Sequence, residues 1–463
     1  MRKFACLIVA CVCCSVVHAQ EKYRYLRTTG KLPMMAYGLG EDRLGGAKMN
    51  YIDTNILVKI VDSTKEMYLV QLSKNHTAYL EKNYTKVDTA LKLKPFYLTN
   101  SWSVKGVADS FDVVSISMDE RLPYKIWMET NPNKIMLELY GVQSNTNWIT
   151  QLQNVKAVGN IYFNQTEDDV VQVTIELKHE QHWGYTAAYK NKTLSIKVKH
   201  TPTDFSFNNI VIAIDAGHGG TNTGASGLTT KVLEKDYTLL FAKALEKALV
   251  KRGAKVIMTR DKDTTIDNKD RVLFLQQQNP RLFISIHLNS SSKTEVQGVS
   301  TYYKHVGFRP LSVSILQKML DLDLNEFGNV GNFNFIPNAI TDFPNCLVEV
   351  AFLSNEQDEK KILDPKFHKK VAEKIYLDCL IEDSTEYVVH YNLGTLYYNK
   401  AAHIDGIVYD NKSKLSKREI RNYDRQIDIL IDKARPHFVI YGSFYKEWKA
   451  GHKDLMGIWK DDK

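Results

Sequence analysis

The sequence predicts a multidomain chain: all-β domains at the amino end, then a three-layer α/β domain with a mostly parallel sheet, then a short helical extension. Three observations carry that prediction. Short runs alternating apolar and polar residues fill the first two hundred positions, buried-type runs alternating with helix-period segments follow, and the last eighty positions turn aromatic and amphipathic. The 463 residues are 44% hydrophobic and 25% charged, enough for two to four domains with their own cores and unlike a disordered chain. The formal charge of +8, from 61 Lys and Arg against 53 Asp and Glu, is not gathered in one block. It gives a weak attraction to polyanions and singles out none of them.

Residues 1–19 read as a signal peptide. Met1-Arg2-Lys3 is basic, Phe4 to Val17 is almost wholly apolar, and Val17-His18-Ala19 offers small residues to a signal peptidase. A second reading takes Ile8-Val9-Ala10-Cys11 as a lipoprotein box that anchors the chain through Cys11. The run is shorter than the roughly 20 residues a bilayer needs, and no later segment is long and apolar enough to span one. Four of the six cysteines lie in this leader, which leaves Cys346 and Cys379 and no disulfide framework.

From 21 to 100 the alternating runs Asn55 to Val61 and Met67 to Leu72 are separated by polar and glycine turns, as in a small barrel. With Gly45-Gly46-Ala47-Lys48 ahead of them they resemble the SH3-like domains attached to wall enzymes. From 101 to 203 longer strands are predicted at Val113 to Ser117, Lys134 to Tyr140, Val170 to Leu177 and Thr193 to Val198. Their period-2 alternation argues a sandwich, and the region looks like the AMIN-type β-domains that precede some amidases. His179 and His182 have no third ligand in view and read as surface or packing residues.

After the linker Thr201-Pro202-Thr203-Asp204 a third domain spans 206–384. Ile210 to Asp215 is a buried strand, and Glu234 to Gly253 is a helix with Tyr237, Phe241, Leu245 and Leu249 on one face. Lys255 to Thr259 is a strand, Asp267 caps a helix to Gln278, Leu282 to His287 and Val299 to Tyr303 are strands, and Leu311 to Phe327 reads as a helix. Cys346 to Leu353 is a final apolar strand, and Asp364-Pro365 starts a closing helix to about Leu380. In the extension, 385–463, Tyr387 to Ala402 and Lys417 to Ala434 are amphipathic. Leu393-Gly394-Thr395-Leu396-Tyr397 resembles the first helix of a tetratricopeptide unit, which needs stacked neighbours, so a docking domain or a protein partner is expected for it.

Four side chains of the third domain stand apart. His218 sits in the glycine-rich turn after the first strand, Glu234 opens the first helix, His287 ends the strand Phe283 to Ile286, and Glu349 lies within Cys346 to Leu353. Each has an ordinary reading: satisfied histidines, a carboxylate favoured by the helix dipole, and a buried ion pair of Glu349 with Arg260 or Arg271. Jointly, two imidazoles and a carboxylate make the three-ligand set of a catalytic zinc site, and a further carboxylate is the base its water requires. Strand ends of a parallel sheet face one crevice, which the separate readings do not require.

Ile214-Asp215-Ala216-Gly217-His218-Gly219-Gly220, Glu234-Lys235, Thr259-Arg260 with Asp263, Phe283 to Asn289 and Leu347 to Asn355 resemble the zinc-dependent N-acetylmuramoyl-L-alanine amidases of the amidase-3 type, in order and with plausible spacing. That resemblance implies that His218, Glu234 and His287 bind Zn2+ and that Glu349 is the catalytic carboxylate. The implied substrate is peptidoglycan, cut between N-acetylmuramic acid and the L-alanine of the stem peptide. Asn289 is expected to bind substrate, and Asp215 and Arg271 to orient the metal ligands. The implied place is outside the cytoplasm, in the periplasm or at the cell surface, with no nucleic-acid partner. The chain departs from the family at Asn338-Ala339-Ile340, where members often carry a basic residue. Only about sixty residues separate His287 from Glu349, so no long helix is expected to block the site. Two other readings stay open: a zinc peptidase or deacetylase acting on another wall bond, and a wall-binding scaffold without catalysis.

Overall fold

The structure, a computed structural model, describes residues 25–378 apart from 41–44, 89–90, 92–93, 95, 109, 152–153, 203–207 and 209, together with Ser416 and residues 419–431. The leader with Cys11, most of the linker, Cys379 and the segment 387–402 lie outside the described residues. Of 417–434, residues 419–431 are helical.

The first domain is one antiparallel seven-stranded sheet, in the order Lys48–Tyr51, Met34–Ala36, Thr77–Glu81, Met67–Gln71, Leu57–Ser63, Tyr25–Thr28, Thr85–Asp88. The strand read from Asn55 starts at Leu57, because Asn55 takes a left-handed turn at φ 63° that Asn tolerates. The second domain has two sheets. One pairs Tyr124–Glu129, Lys134–Tyr140, Val170–Leu177 and Val158–Glu167, and the other is built on Tyr97–Val107, Phe111–Met118, Thr193–Lys199 and Tyr185–Lys190. Buried Trp102 of one sheet meets Phe163 of the other with ring centroids 4.9 Å apart, the cross-sheet packing of a sandwich. Tyr97–Val107 runs through residue 100, and one apolar core joins Leu26, Ile56 and Val70 to Tyr124, Leu139 and Val173. His182 packs in this region, its Nε2 2.8 Å from the Glu129 carbonyl, and burial pushes it down to about 4.

The third domain contains β1 (Val211–Ala216), α1 (Glu234–Val250), β2 (Lys255–Met258), α2 (Asn268–Gln278), β3 (Leu282–Asn289), β4 (Val299–Tyr302), α3 (Arg309–Leu320), β5 (Glu326–Val330), β6 (Asn345–Phe352), α4 (Glu356–Leu363) and α5 (Pro365–Asp378). The sheet order is β2-β1-β3-β6-β4-β5, parallel throughout except between β4 and β6. Its central strands β1, β3 and β6 are apolar on both faces because both are covered. Ile212, Ile214 and Ile284 share a core with Phe241 and Leu245 of α1 and Ile375 of α5, whereas Ala213 and Phe283 pack with Val272 and Leu275 of α2. This second cluster also takes in Leu32 and Tyr51 of the first domain.

Two expectations are corrected. The helix read as Leu311 to Phe327 stops at Leu320; Asp323 turns left-handed at φ 55°, and Glu326–Val330 pairs with β4 as an edge strand. The alternation of Leu320, Leu322 and Leu324 marks that break. A further helix, α4, follows β6, capped by the Asn355 side chain, which accepts from the N–H groups of Gln357 and Asp358.

Phe241 is 1% exposed, between α1 and α5, 4.4 Å from the His368 ring. Replacing it with alanine is expected to remove about 3–5 kcal/mol from the third domain. Urea unfolding should show the midpoint for this domain move down by that equivalent, and an unchanged midpoint would contradict the packing described.

Candidate metal and catalytic site

The turn after β1 is built to present an imidazole. His218, Gly219 and Gly220 have φ of 63°, 128° and 57°, a run of left-handed backbone that costs a histidine about 1–2 kcal/mol. Side chains from three elements hold it there. Arg260 donates to the carbonyls of Ala216 and Gly217 (2.9 and 3.0 Å), and Arg271 to those of Ala216 and His218 (3.1 and 2.5 Å). Asp263 accepts from the Gly220 N–H at 2.6 Å and from Lys235 at 2.7 Å.

Beneath the turn Asp215 is fully buried and ion-paired with Arg271, and it accepts from Thr259 (2.5 Å) and Ser285 (2.7 Å). Burial works to raise its pKa, but the Arg271 guanidinium and these donors hold it below the usual carboxylate range. Arg271 is thereby committed to Asp215. The ion pair that the sequence allowed between Arg271 and Glu349 is not the one formed, and Arg260 is spent on carbonyls.

Three of the four singled-out side chains meet: one ligand atom each from His218, Glu234 and His287 lies within 4.8 Å of the others. Glu234 Oε1 is 2.9 Å from His218 Nε2, 3.2 Å from His287 Nδ1 and 3.0 Å from the Leu288 N–H, while Oε2 accepts from the Ala225 N–H at 2.8 Å. Burial raises the pKa of this carboxyl, and the imidazole hydrogen bonds more than offset that, so it stays ionised far below the ordinary range. The two rings stand edge to face at 4.9 Å. His287 turns Nδ1 toward Glu234 Oε1, and its Nε2 is buried without a hydrogen-bond partner. A Cβ on Gly217 would come within 2.6 Å of three His287 ring atoms, so the imidazole fits only against a glycine. The donor set and the glycine-lined cradle fit a zinc ion.

Glu349 is the register partner of His287 in the neighbouring strand and of Ser300 on the other side, at the carboxyl end of the parallel strands but outside the trio. Asn289 ends β3 with its amide donating to the Tyr302 hydroxyl at 3.3 Å. Asn338, at the departure from the family pattern, is buried and donates to Asn345 at 3.3 Å.

Four contributors escaped the sequence reading. Asn222 lies 2.9 Å from His218 Nδ1 and orients that ring; its four-residue offset from a turn histidine was the available signal. Phe335 sets its ring edge-on to His287 at 5.4 Å. Beside it Asn334 donates to the carbonyls of Gly45 and Gly46 (2.9 and 3.0 Å) and accepts from the Lys48 N–H at 3.0 Å, which clasps this loop to the first domain. Glu359 of α4 takes four hydrogen bonds from Thr229 and Thr230, at 2.6–3.0 Å, and so secures the loop that leads to Glu234.

These four donors outweigh the upward push of burial and bring Glu359 from 4.5 to about 2. A carboxylate depressed in the folded state stabilises above its unfolded pKa and loses that contribution as pH falls. Thermal unfolding followed against pH should show part of the acid loss between 4.5 and about 2, and Glu359→Gln should lower the neutral-pH midpoint and flatten that limb. Parallel acid limbs in the two proteins would contradict the assignment.

Residues 212–378 match the family model described as N-acetylmuramoyl-L-alanine amidase. Among curated relatives, "Probable cell wall amidase LytH" of Staphylococcus epidermidis is 36% identical over 173 residues, covering 36% of this chain and 56% of the relative. The protein of that name from Staphylococcus aureus is 32% identical over 203 residues, 42% of this chain and 66% of the relative. Among solved structures, an N-acetylmuramoyl-L-alanine amidase of Clostridium difficile 630 shows 30% identity, with 37% of this chain and 96% of that one covered and a TM-score of 0.36. The catalytic domain of CwlV from Bacillus (Paenibacillus) polymyxa gives 32%, 37%, 96% and 0.34. The chain thus spans less than two thirds of the curated relatives it matches, and the likeness falls on the domain that holds the trio. The match to the N-acetylmuramoyl-L-alanine amidase model thus lies within the third domain, over the residues that hold the trio.

Proposed function

We propose that the protein is a zinc-dependent peptidoglycan hydrolase that cuts the amide between N-acetylmuramic acid and the L-alanine of the stem peptide. The observation that carries this reading is the trio His218, Glu234 and His287 inside the segment that matches the amidase model. In this reading those three residues hold the ion. When bound, zinc supplies Lewis acidity at the lactyl carbonyl and makes water a nucleophile near neutral pH.

The chain's own residues do the rest. Glu349, beside His287 in register, takes the proton released by the attacking water and returns it to the nitrogen of the departing L-alanine, because an amine leaves poorly as an anion. Glu234, fully ionised, keeps both imidazoles aimed inward. Asp215 and Arg271 fix the turn that carries His218, so their part is to hold geometry. Asn289, oriented by the Tyr302 hydroxyl, contacts the substrate.

The rest of the reading follows from the substrate. The protein is exported, by the 1–19 leader, to the periplasm or cell surface. The two β-domains, SH3-like and AMIN-like, hold the wall, and the extension beyond 384 meets a protein partner.

Digestion of purified peptidoglycan with product analysis tests the reaction. Free stem peptides beginning at L-alanine are expected; internal peptides or acetate would replace the amidase with a peptidase or deacetylase. Glu349→Gln should keep zinc and lower kcat about 10²–10⁴-fold, whereas His287→Ala should lose metal and turnover together. Chelation should abolish activity and added zinc restore it. Equal activity in all these forms would end the zinc reading.

A further inference from the structure

A cleft of about 420 Å³ opens where the three domains meet, lined by Tyr37 of the first, Lys125 and Trp127 of the second, and Tyr303, Lys304 and Asn332 of the third. No part of the reaction described above uses it. Its size is that of a site for an oligosaccharide or short peptide, within the ~300–1,000 Å³ of ordinary ligand pockets and far larger than a single ion needs.

Its charge is positive and poorly balanced. Lys304 is half-buried and donates to a neutral oxygen, Asn332 Oδ1, at 2.7 Å; among the described residues it forms no ion pair. Burial pulls its pKa down, with no carboxylate acting to raise it. Lys125 spans the seam between the first two domains, 4.5 Å from the Trp127 ring centre and 5.9 Å from that of Tyr37, and reaches Glu138 only at 3.9 Å. Lys48 lines the cleft as well, its Nζ 2.8 Å from the Asn334 carbonyl, so three lysines stand against Glu138 and against Glu129, which takes the Trp127 indole N–H at 3.2 Å, beside aromatic rings that offer flat apolar surface to the C–H face of a sugar.

The cleft is also tied to the metal site. Asn332 begins the loop whose Phe333 N–H bonds the Tyr303 carbonyl at 3.0 Å, whose Asn334 is clasped by the first domain, and whose Phe335 rests on His287. One short segment thus has the cleft at one end and the trio at the other.

We propose that this cleft is a second binding site for the wall polymer, taking a carboxylate-bearing glycan–peptide segment away from the amide being cut. The inference rests on the amidase reading. Lys304 and Lys125 receive the carboxylate of an uncut stem peptide, and Trp127 and Tyr37 take the neighbouring sugar. A phosphate polymer is the less suited ligand, since phosphate sites favour forked guanidinium groups and convergent backbone N–H groups, and the lining holds no arginine.

The test uses the full chain. Binding of soluble glycan strands with intact stem peptides is measured on Glu349→Gln protein, with and without Lys304→Met, and KM for peptidoglycan is measured on the enzyme with Glu349 intact. Lys304→Met should weaken binding about tenfold and raise KM rather than lower kcat, as the loss of one charge-assisted contact predicts. Lys304→Arg should restore most of the affinity. Lys125→Met should act in the same direction, which keeps the test open if Lys304→Met unfolds. Lys243→Met, on the outer surface of α1, should change neither quantity. Hydrolysis that proceeds with unchanged affinity and KM in both cleft variants overturns the cleft and leaves the amidase standing. A wild-type chain that releases no stem peptide overturns the amidase reading itself. Lys304-dependent binding of a poly(glycerol phosphate) with none of the glycan–peptide would overturn the assigned ligand.

Discussion

A buried carboxylate stays charged only if donors or a cation replace the water it has lost, and Glu234 has two backbone N–H donors and two imidazole nitrogens around it. Much of the third domain can be understood as the means of bringing those donors together. The histidines arrive from neighbouring parallel strands, the Leu288 N–H from the end of β3, and the Ala225 N–H from a loop that Glu359 ties down from α4. If one support is withdrawn, a charge is left in an apolar surrounding, where it is worth several kcal/mol of destabilisation.

The same logic runs one layer deeper. Asp215 and Arg271 form a buried ion pair that neither binds a ligand nor lines the crevice, yet its guanidinium reaches the carbonyl of the histidine in the turn. Buried pairs of this kind are weak arguments for stability and better ones for specified geometry. Here the geometry specified is a left-handed histidine, which the chain would otherwise relax. Arg260 repeats the device one residue earlier, at the Gly217 carbonyl.

How much of this was legible in the sequence follows from the range of each interaction. Strands with strong period, such as Lys134–Tyr140 and Val170–Leu177, appear with the boundaries read, because alternation is a local property. The trio was legible because glycine-rich turns and strand ends are local too, and because their order matches a known pattern. The helix read through Phe327 was not, since Leu320, Leu322 and Leu324 satisfy a helical and an extended reading until β4 is there to pair with β5. Nor were Asn334 and Glu359 legible, whose partners are hydroxyl, carbonyl and backbone N–H groups that only the folded chain brings near. The continuous core of the first two domains was hidden for the same reason: alternation says which face is apolar and is silent on what covers it.

The clasp of Asn334 by Gly45, Gly46 and Lys48 makes the loop beside His287 a joint structure of two domains distant in sequence. A linker that only tethers lets two domains drift relative to each other. A clasp beside the trio sets an offset instead, as a fence does on a saw, and the distance from the first domain to His287 is then governed by the shape of the protein more than by the slack between its parts.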